Sequence, residues 1–328
     1  MMYAAITGWG KCLPPATLTN ADLATFLETD DAWITSRTGI RERRVSHVRL
    51  EELGVVAARR ALAAAGLEPE ALDLVVFGTC SFDDQVPNQS SGLQRRLGAH
   101  RAAAMDVNTA CTSFLYALST ANALIRGGTV RRALVLGGEL ISAFMDWDNR
   151  NVAVLFGDGC AAVVLEATDR EEGLLAERLG CDAGARGTLV VQGMGGRYAD
   201  FSRRYGLTEW TFDGQEIFKR AVIGMSEASA AVLAQRGLAA ADVDLVVPHQ
   251  ANLRINDVIV KQLELPETVA VADDIIETGN TSAASIPLAM EKMLRTGQVE
   301  AGSTALLLAF GAGLSYAGQV VKMPPLAK

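Results

Sequence analysis

The chain repeats itself. Residues 61–76, ALAAAGLEPEALDLVV, align without a gap on residues 232–247, VLAQRGLAAADVDLVV, and eight of the sixteen positions are identical. Each segment reads as a helix ending at Gly-Leu, a short connection and a buried Leu-Val-Val strand. The correspondence continues. Cys111-Thr112-Ser113 and Asn280-Thr281-Ser282, 169 residues apart, each open an apolar run that closes on glycine. Strands Ala133–Leu136 and Ala305–Leu308 follow, then Phe156-Gly157-Asp158-Gly159 and Phe310-Gly311-Ala312-Gly313, with extra residues at about 139–155 in the first copy. Four matches in one order predict two α/β halves of like topology, related by a pseudo-two-fold, with helices covering buried sheets. The halves divide near residue 170, giving 1–170 and 171–328.

Composition narrows the function. A chain of 328 residues with 49% hydrophobic and 21% charged residues is long enough for a large core. A net charge of −8 argues against a general nucleic-acid binder, which needs a basic surface. Five cysteines, odd in number and without a CxxC pair, argue against a disulfide framework or a thiolate zinc site and fit a reducing cytoplasm. The opening MMYAAITGWGK lacks the basic and apolar regions of a signal peptide. The uncharged run 301–321 is long enough to span a bilayer, but its four glycines and its Ser, Thr and Gln predict two buried strands meeting at Phe310–Gly313. No membrane segment is expected.

The repeat also localises a site. Cys111 lies between a strand-like Asp106–Ala110 and an apolar helix beginning at Phe114. A cysteine at a helix start feels the positive end of the macrodipole, which favours the nucleophilic thiolate. His249 stands where the strand Val246-Val247-Pro248 gives way to a loop, a favoured place for functional groups in α/β sheets. Asn280 takes the position matching Cys111 in the repeat. Pseudo-symmetry brings equivalent helix starts together, so Cys111, His249 and Asn280 are expected to converge. Cys80 and Cys160 read as small core residues, and His47 and His100 as surface ones. Gly193–Gly196 reads as a loop, and the acidic pairs Asp30-Asp31, Asp83-Asp84 and Asp273-Asp274 as caps or solvated faces. There is no dinucleotide fingerprint, phosphate loop, HExxH or GxSxG.

These motifs carry a family resemblance. Thr29–Ile34 with Arg37–Arg43, Ala110-Cys111, Phe156–Gly159, HQANLRI at 249–255, GNTSAAS at 279–285 and Ala309-Phe310-Gly311 occur in one order along nearly the whole chain. The sequence resembles β-ketoacyl-acyl carrier protein synthase III, a condensing enzyme of the thiolase fold. The resemblance implies an α/β, thiolase-like fold of two pseudo-symmetric halves in α-β-α-β-α layers. That fold is itself an internal duplication.

It further implies a cytoplasmic homodimer without a cofactor that takes acyl-CoA and malonyl-acyl carrier protein as substrates. Cys111 would be acylated. His249 and Asn280 would hydrogen-bond the malonyl thioester oxygen as CO₂ leaves, a task for two donors aimed at a developing enolate. Backbone N–H groups of Cys111 and Ala312 would hold the acyl carbonyl. Trp33, Arg37 and Arg150 would contact the adenine end of CoA, while Gly214, Phe218 and Asn252 line the pantetheine tunnel. Val86 and Phe310 would shape the acyl pocket. Lys219, Arg220, Arg254 and Lys261 would offer an acidic carrier protein a basic patch.

The sequence departs from the family's usual residues at Thr112-Ser113, at Ala312 and at a small Val86. Two rival readings share the motifs: an acyltransferase of secondary metabolism that need not decarboxylate, and a non-catalytic subunit of a heterodimer.

Overall fold

The computed structural model describes residues 2–192 and 208–324; the Gly193–Gly196 segment lies outside them. The elements that carry the fold are, in chain order, β1 (Tyr3–Cys12), α1 (Asp31–Thr38), α2 (Leu50–Ala65), β2 (Leu74–Gly78), β3 (Ala103–Val107) and α3 (Ser113–Arg126), followed by β4 (Arg132–Glu139), β5 (Gly159–Thr168) and β6 (Leu174–Cys181). The remainder are α4 (Gly214–Arg236), β7 (Leu245–Pro248), α5 (Leu253–Gln262), β8 (Ala270–Val271), α6 (Ser285–Arg295), β9 (Thr304–Gly311) and β10 (Ser315–Lys322).

Two five-stranded sheets result, ordered β1-β5-β4-β2-β3 and β6-β10-β9-β7-β8. Read in that direction, both run antiparallel, antiparallel, parallel, parallel. A parallel pair needs a crossover, and α3 and α6 supply equivalent ones, from β3 to β4 and from β8 to β9. The uncharged run 301–321 holds β9 and β10, paired as an antiparallel hairpin. Among the described residues, no helix is long and apolar enough to cross a membrane.

Burial on both faces explains the near-continuous apolar strands. Side chains alternate across a strand, so Leu74 and Val76 of β2 face one way and Val75 and Phe77 the other. The first pair joins a central core with Leu115, Leu118, Met290 and Met293 of α3 and α6 and with Leu245, Val247, Ala305 and Leu307 of the second sheet. The second pair packs against α2 through Leu53, Ala57 and Ala61. In the second sheet Val246, Leu306 and Leu308 face α4 through Val222, Met225 and Val232. The layers are therefore α-β-α-β-α, as the resemblance implied, with α3 and α6 in the middle.

The repeated Gly-Leu marks equivalent helix ends. Gly66 and Gly237 hold φ of 68° and 64° and each donates its N–H to the last carbonyls of α2 or α4. A left-handed cap costs least for a residue without a Cβ, which is why glycine stands here in both copies.

One correspondence is corrected by the structure. Ala110 and Ser282 are non-glycine residues at φ 53° and 48°, each opening a one-turn 3-10 segment that leads into Ser113 of α3 or Ser285 of α6. The structural mate of Cys111 is thus Ala283, not Asn280. Helix α3 has 14 residues and α6 has 11, so the second copy lacks nearly one turn. A gapless alignment is correct at the helix ends, Gly128 against Gly297, and three residues out of register at the starts.

Candidate active site

The two 3-10 turns meet at the junction of the halves, against strand ends that approach them closely. A Cβ on Gly137 would stand 2.3 Å from the Ala283 carbonyl oxygen, and one on Gly311 would stand 2.9 Å from the Cys111 nitrogen. Only glycine lets the strand ends approach the opposite turn this closely. The junction opens into a cavity of about 1100 Å³, lined by Cys111, His249 and Asn280 together with Trp33, Arg37, Gly214, Phe218, Asn252, Arg254 and Phe310. The three residues expected to converge thus share one cavity, although two of them are not repeat mates.

His249 follows β7 directly, and its N–H donates to the Leu308 carbonyl at 2.7 Å, extending the parallel pairing by one residue. The ring is 3% exposed, and its Nδ1 lies 2.6 Å from Ser285 Oγ at the start of α6. Burial lowers its pKa to about 4, so the imidazole is neutral near pH 7. Neighbouring Gln250 ties β7 to the following segment, donating to the Pro248 and Ala272 carbonyls and accepting from Ile275 N–H.

Asn280 bridges the halves through its backbone. It donates to the Leu155 carbonyl at 2.8 Å and accepts from Gly157 N–H at 3.0 Å. Its Oδ1 accepts from Ser282 N–H at 2.8 Å, which fixes the side chain and leaves its amide N–H₂ for the cavity.

Cys111 sits on the first turn with its sulfur toward the backbone N–H groups of Cys111 itself and Ala312. Burial pushes the thiol up to about 11, opposed by Ser282 and the two N–H groups and reinforced by the Glu139 carboxylate. A helix start alone predicts a lowered value; desolvation outweighs it here.

Sequence reasoning missed Glu139, Ser282 and Ser285 as single residues. Glu139 is fully buried at the end of β4 and accepts from Thr79 Oγ1, Cys80 N–H, Ser81 Oγ and Ser282 Oγ. An acid closing an apolar strand was the available signal. Cys80, expected in the core, points its Sγ at Glu139 at 3.3 Å. Thr112 bonds Ser315 and Thr109, and Ser113 bonds the Ala110 carbonyl, so neither departure from the family's small residues faces the cavity.

At the outer end two guanidinium groups stand over the Trp33 ring, Arg37 at 4.4 Å and Arg150 at 5.0 Å from its centre. Asn252 caps α5 through Arg254 N–H and donates to the Arg37 carbonyl, fixing that rim. Of the four basic candidates, Arg254 lines the cavity, while Lys219 and Lys261 are exposed without lining it. Arg220 is already paired with Glu216 at 2.7 Å and Asp182 at 2.6 Å. Val86 is 83% exposed and does not line the cavity, whereas Phe310 does.

Comparison with known proteins agrees with this geometry. Family models described as 3-oxoacyl-[acyl-carrier-protein] synthase III and its C-terminal region match residues 105–183 and 233–323. The chain is 47% identical over 320 residues, 98% of this chain and 88% of the relative, to a protein named beta-ketoacyl-[acyl-carrier-protein] synthase III 2 from Vibrio vulnificus strain YJ016. It is similar to the crystal structure of 3-oxoacyl-(acyl carrier protein) synthase III from Pseudomonas aeruginosa PAO1, with 39% identity, TM-score 0.92, and 99% of this chain and 100% of that one covered. The priming β-ketosynthase of the R1128 polyketide biosynthetic pathway is likewise similar, with 36% identity, TM-score 0.94, and 99% and 97% covered.

Proposed function

The chain belongs to the 3-oxoacyl-[acyl-carrier-protein] synthase III family, and from that premise we propose how its own residues carry the reaction. It is a condensing acyltransferase. Cys111 attacks the thioester of an acyl-CoA and takes the acyl group, releasing CoA. Malonyl-acyl carrier protein follows, loses CO₂, and its enolate carbon attacks the acyl-cysteine to give a 3-ketoacyl product.

The observation that carries this reading is the single cavity lined by Cys111, His249 and Asn280. With Ser285 donating to Nδ1, the neutral imidazole keeps its hydrogen on Nε2 and offers it to the enolate oxygen beside the Asn280 amide. Two uncharged donors in a water-poor site stabilise that oxyanion without protonating it. The N–H groups of Cys111 and Ala312, already turned to the sulfur, are placed to hold the acyl carbonyl. These residues supply the nucleophile and both donor pairs, and we assign no cofactor.

Trp33, Arg37 and Arg150 form the adenine end, with adenine taking one guanidinium's place on the indole face. The pantetheine arm runs past Gly214, Phe218 and Asn252 to Cys111, with Phe310 beside the acyl group. Arg254 and Arg37 at the rim, with Lys219, are the carrier-protein contacts this surface favours; Arg220, held by two carboxylates, adds little. Exposed Val86 suits a loop that completes the acyl pocket of a second copy in a homodimer. We place the division of the halves at residue 170, between β5 and β6.

A priming role in polyketide assembly is the second reading, favoured by the 0.94 TM-score to the R1128 priming enzyme. Both readings require decarboxylation. The test is release of CO₂ from malonyl-acyl carrier protein by the acylated protein. Release with formation of 3-ketoacyl product is expected; acyl transfer to another nucleophile without CO₂ would refute condensation.

A further inference from the structure

Behind Cys111, on the side away from the CoA cavity, lies a buried polar chain. Ser282 Oγ stands 3.5 Å from Cys111 Sγ and 3.1 Å from Glu139 Oε1. A serine hydroxyl has one hydrogen and two lone pairs. Both Cys111 Sγ and Glu139 Oε1 are in reach of that one hydrogen. Beside a thiolate it turns to the sulfur; beside the protonated thiol it goes to the carboxylate, the stronger acceptor, leaving a lone pair toward the thiol. Glu139 is wholly buried, and Thr79, Cys80, Ser81 and Ser282 all donate to it. The titratable groups facing it are Cys80, Cys111 and Cys160, all thiols.

We propose that Ser282 and Glu139 form a proton relay that deprotonates Cys111 when it attacks. The assignment rests on Cys111 being the nucleophile. As the Cys111 Sγ–carbonyl carbon bond forms, the thiol proton passes to Ser282 Oγ and the serine proton passes to Glu139. The bond to the CoA sulfur breaks, and CoA leaves as thiolate, taking a proton from solvent. Glu139 then holds the cysteine's proton through the acyl-enzyme stage. When the enolate attacks the acyl carbon, the Cys111 thiolate leaves and recovers that proton by the reverse path.

Electrostatics explains why a relay is needed. Two neighbouring negative charges in a dry site repel strongly, and Glu139 is among the causes that raise the Cys111 thiol. A relay never leaves sulfur and carboxylate charged together: the single negative charge sits on Glu139 before attack and departs with the CoA thiolate as Glu139 takes the proton. Burial raises Glu139 above the usual carboxylate range against its hydrogen bonds, which makes it a better proton acceptor. Ser282 touches the reacting sulfur; Glu139 acts through it.

The test is the rate at which iodoacetamide labels Cys111, read by intact mass and peptide mapping from pH 6 to 9, without CoA. A relay makes the wild-type rate nearly flat across neutral pH, whereas an unassisted buried thiol gains about tenfold per pH unit. Glu139→Gln and Ser282→Ala are each expected to slow labelling at pH 7 by about 100-fold and to restore the steep slope. Faster labelling in Glu139→Gln would overturn the relay, because it would mean the carboxylate acts only by repulsion. An unchanged profile in Ser282→Ala would overturn it as well. If Glu139→Gln fails to fold, Ser282→Ala and the wild-type profile decide, and a tenfold-per-unit wild-type rise refutes the relay. Exposed Cys181 takes label in every variant, so the peptide map is read at Cys111 alone, and no label there in the wild-type protein at any pH would refute the nucleophile reading itself. Failure of the relay alone leaves Cys111 labelled.

Discussion

Replacing Ser285 with alanine should separate the two half-reactions. Ser285 Oγ lies 2.6 Å from His249 Nδ1, and both residues are buried. Alanine removes the hydroxyl and leaves the ring nitrogen without its partner. An orphaned buried polar group costs about 1–3 kcal/mol, part of which the ring relieves by rotating or changing tautomer. Either escape moves the Nε2 hydrogen from the position where the enolate oxygen forms. A loss of about 1.4–2.8 kcal/mol in the transition state is about 10–100-fold in rate. The acylation step does not use this donor. Acyl adduct formation from acyl-CoA, timed by rapid quench and intact mass, should therefore change by less than about threefold, a small fraction of that effect. Release of CO₂ from malonyl-acyl carrier protein should fall by about 10–100-fold. Equal loss in both steps would refute the reasoning, because it would make Ser285 a general support of the fold. No loss in either would show that packing alone holds the ring.

Further outcomes follow from burial and exposure. His249 has a folded pKa of about 4, against 6.5 in an open chain, so between these values the unfolded chain binds the proton and the fold does not. Stability should fall as pH drops from 6.5 towards 4, by on the order of 3 kcal/mol from this residue. Urea titrations of wild type and His249→Asn at pH 7.5 and pH 5 check this, and an equal decline in both would contradict it. Val86→Phe at the exposed loop tip should cut turnover of long or branched acyl-CoAs and spare acetyl-CoA. An unchanged chain-length profile across a donor panel would count against that loop's part in the pocket.

The repeat made the fold legible because each copy keeps what its geometry needs: Gly66 and Gly237 at left-handed caps, and Leu-Val-Val strands buried on both faces. It misled at the site because a helix one turn shorter shifts register without disturbing its apolar periodicity. The gapless repeat therefore places Cys111 and Asn280 rightly in one cavity and wrongly as mates. His249 was legible from its strand end. Glu139 was not, because a lone acid after Leu-Val-Leu-Gly-Gly carries no sign of the five side-chain and backbone groups that fold around it. Ser282 and Ser285 stood within the quoted GNTSAAS, yet only the three-dimensional turn turns one to the thiol and the other to the imidazole. Arg220 shows the converse: a basic residue in sequence is a poor docking charge once Glu216 and Asp182 hold it.

The most direct test of the account is the mass of the intact protein after mixing with acyl-CoA, before and after malonyl-acyl carrier protein is added. Wild type should gain one acyl group, keep it in the absence of carrier protein, and lose it when the malonyl donor arrives. Cys111→Ala should gain nothing. An adduct of equal yield in Cys111→Ala, or none in wild type with any acyl-CoA, would contradict the assignment of Cys111 as the nucleophile at the junction of the two halves.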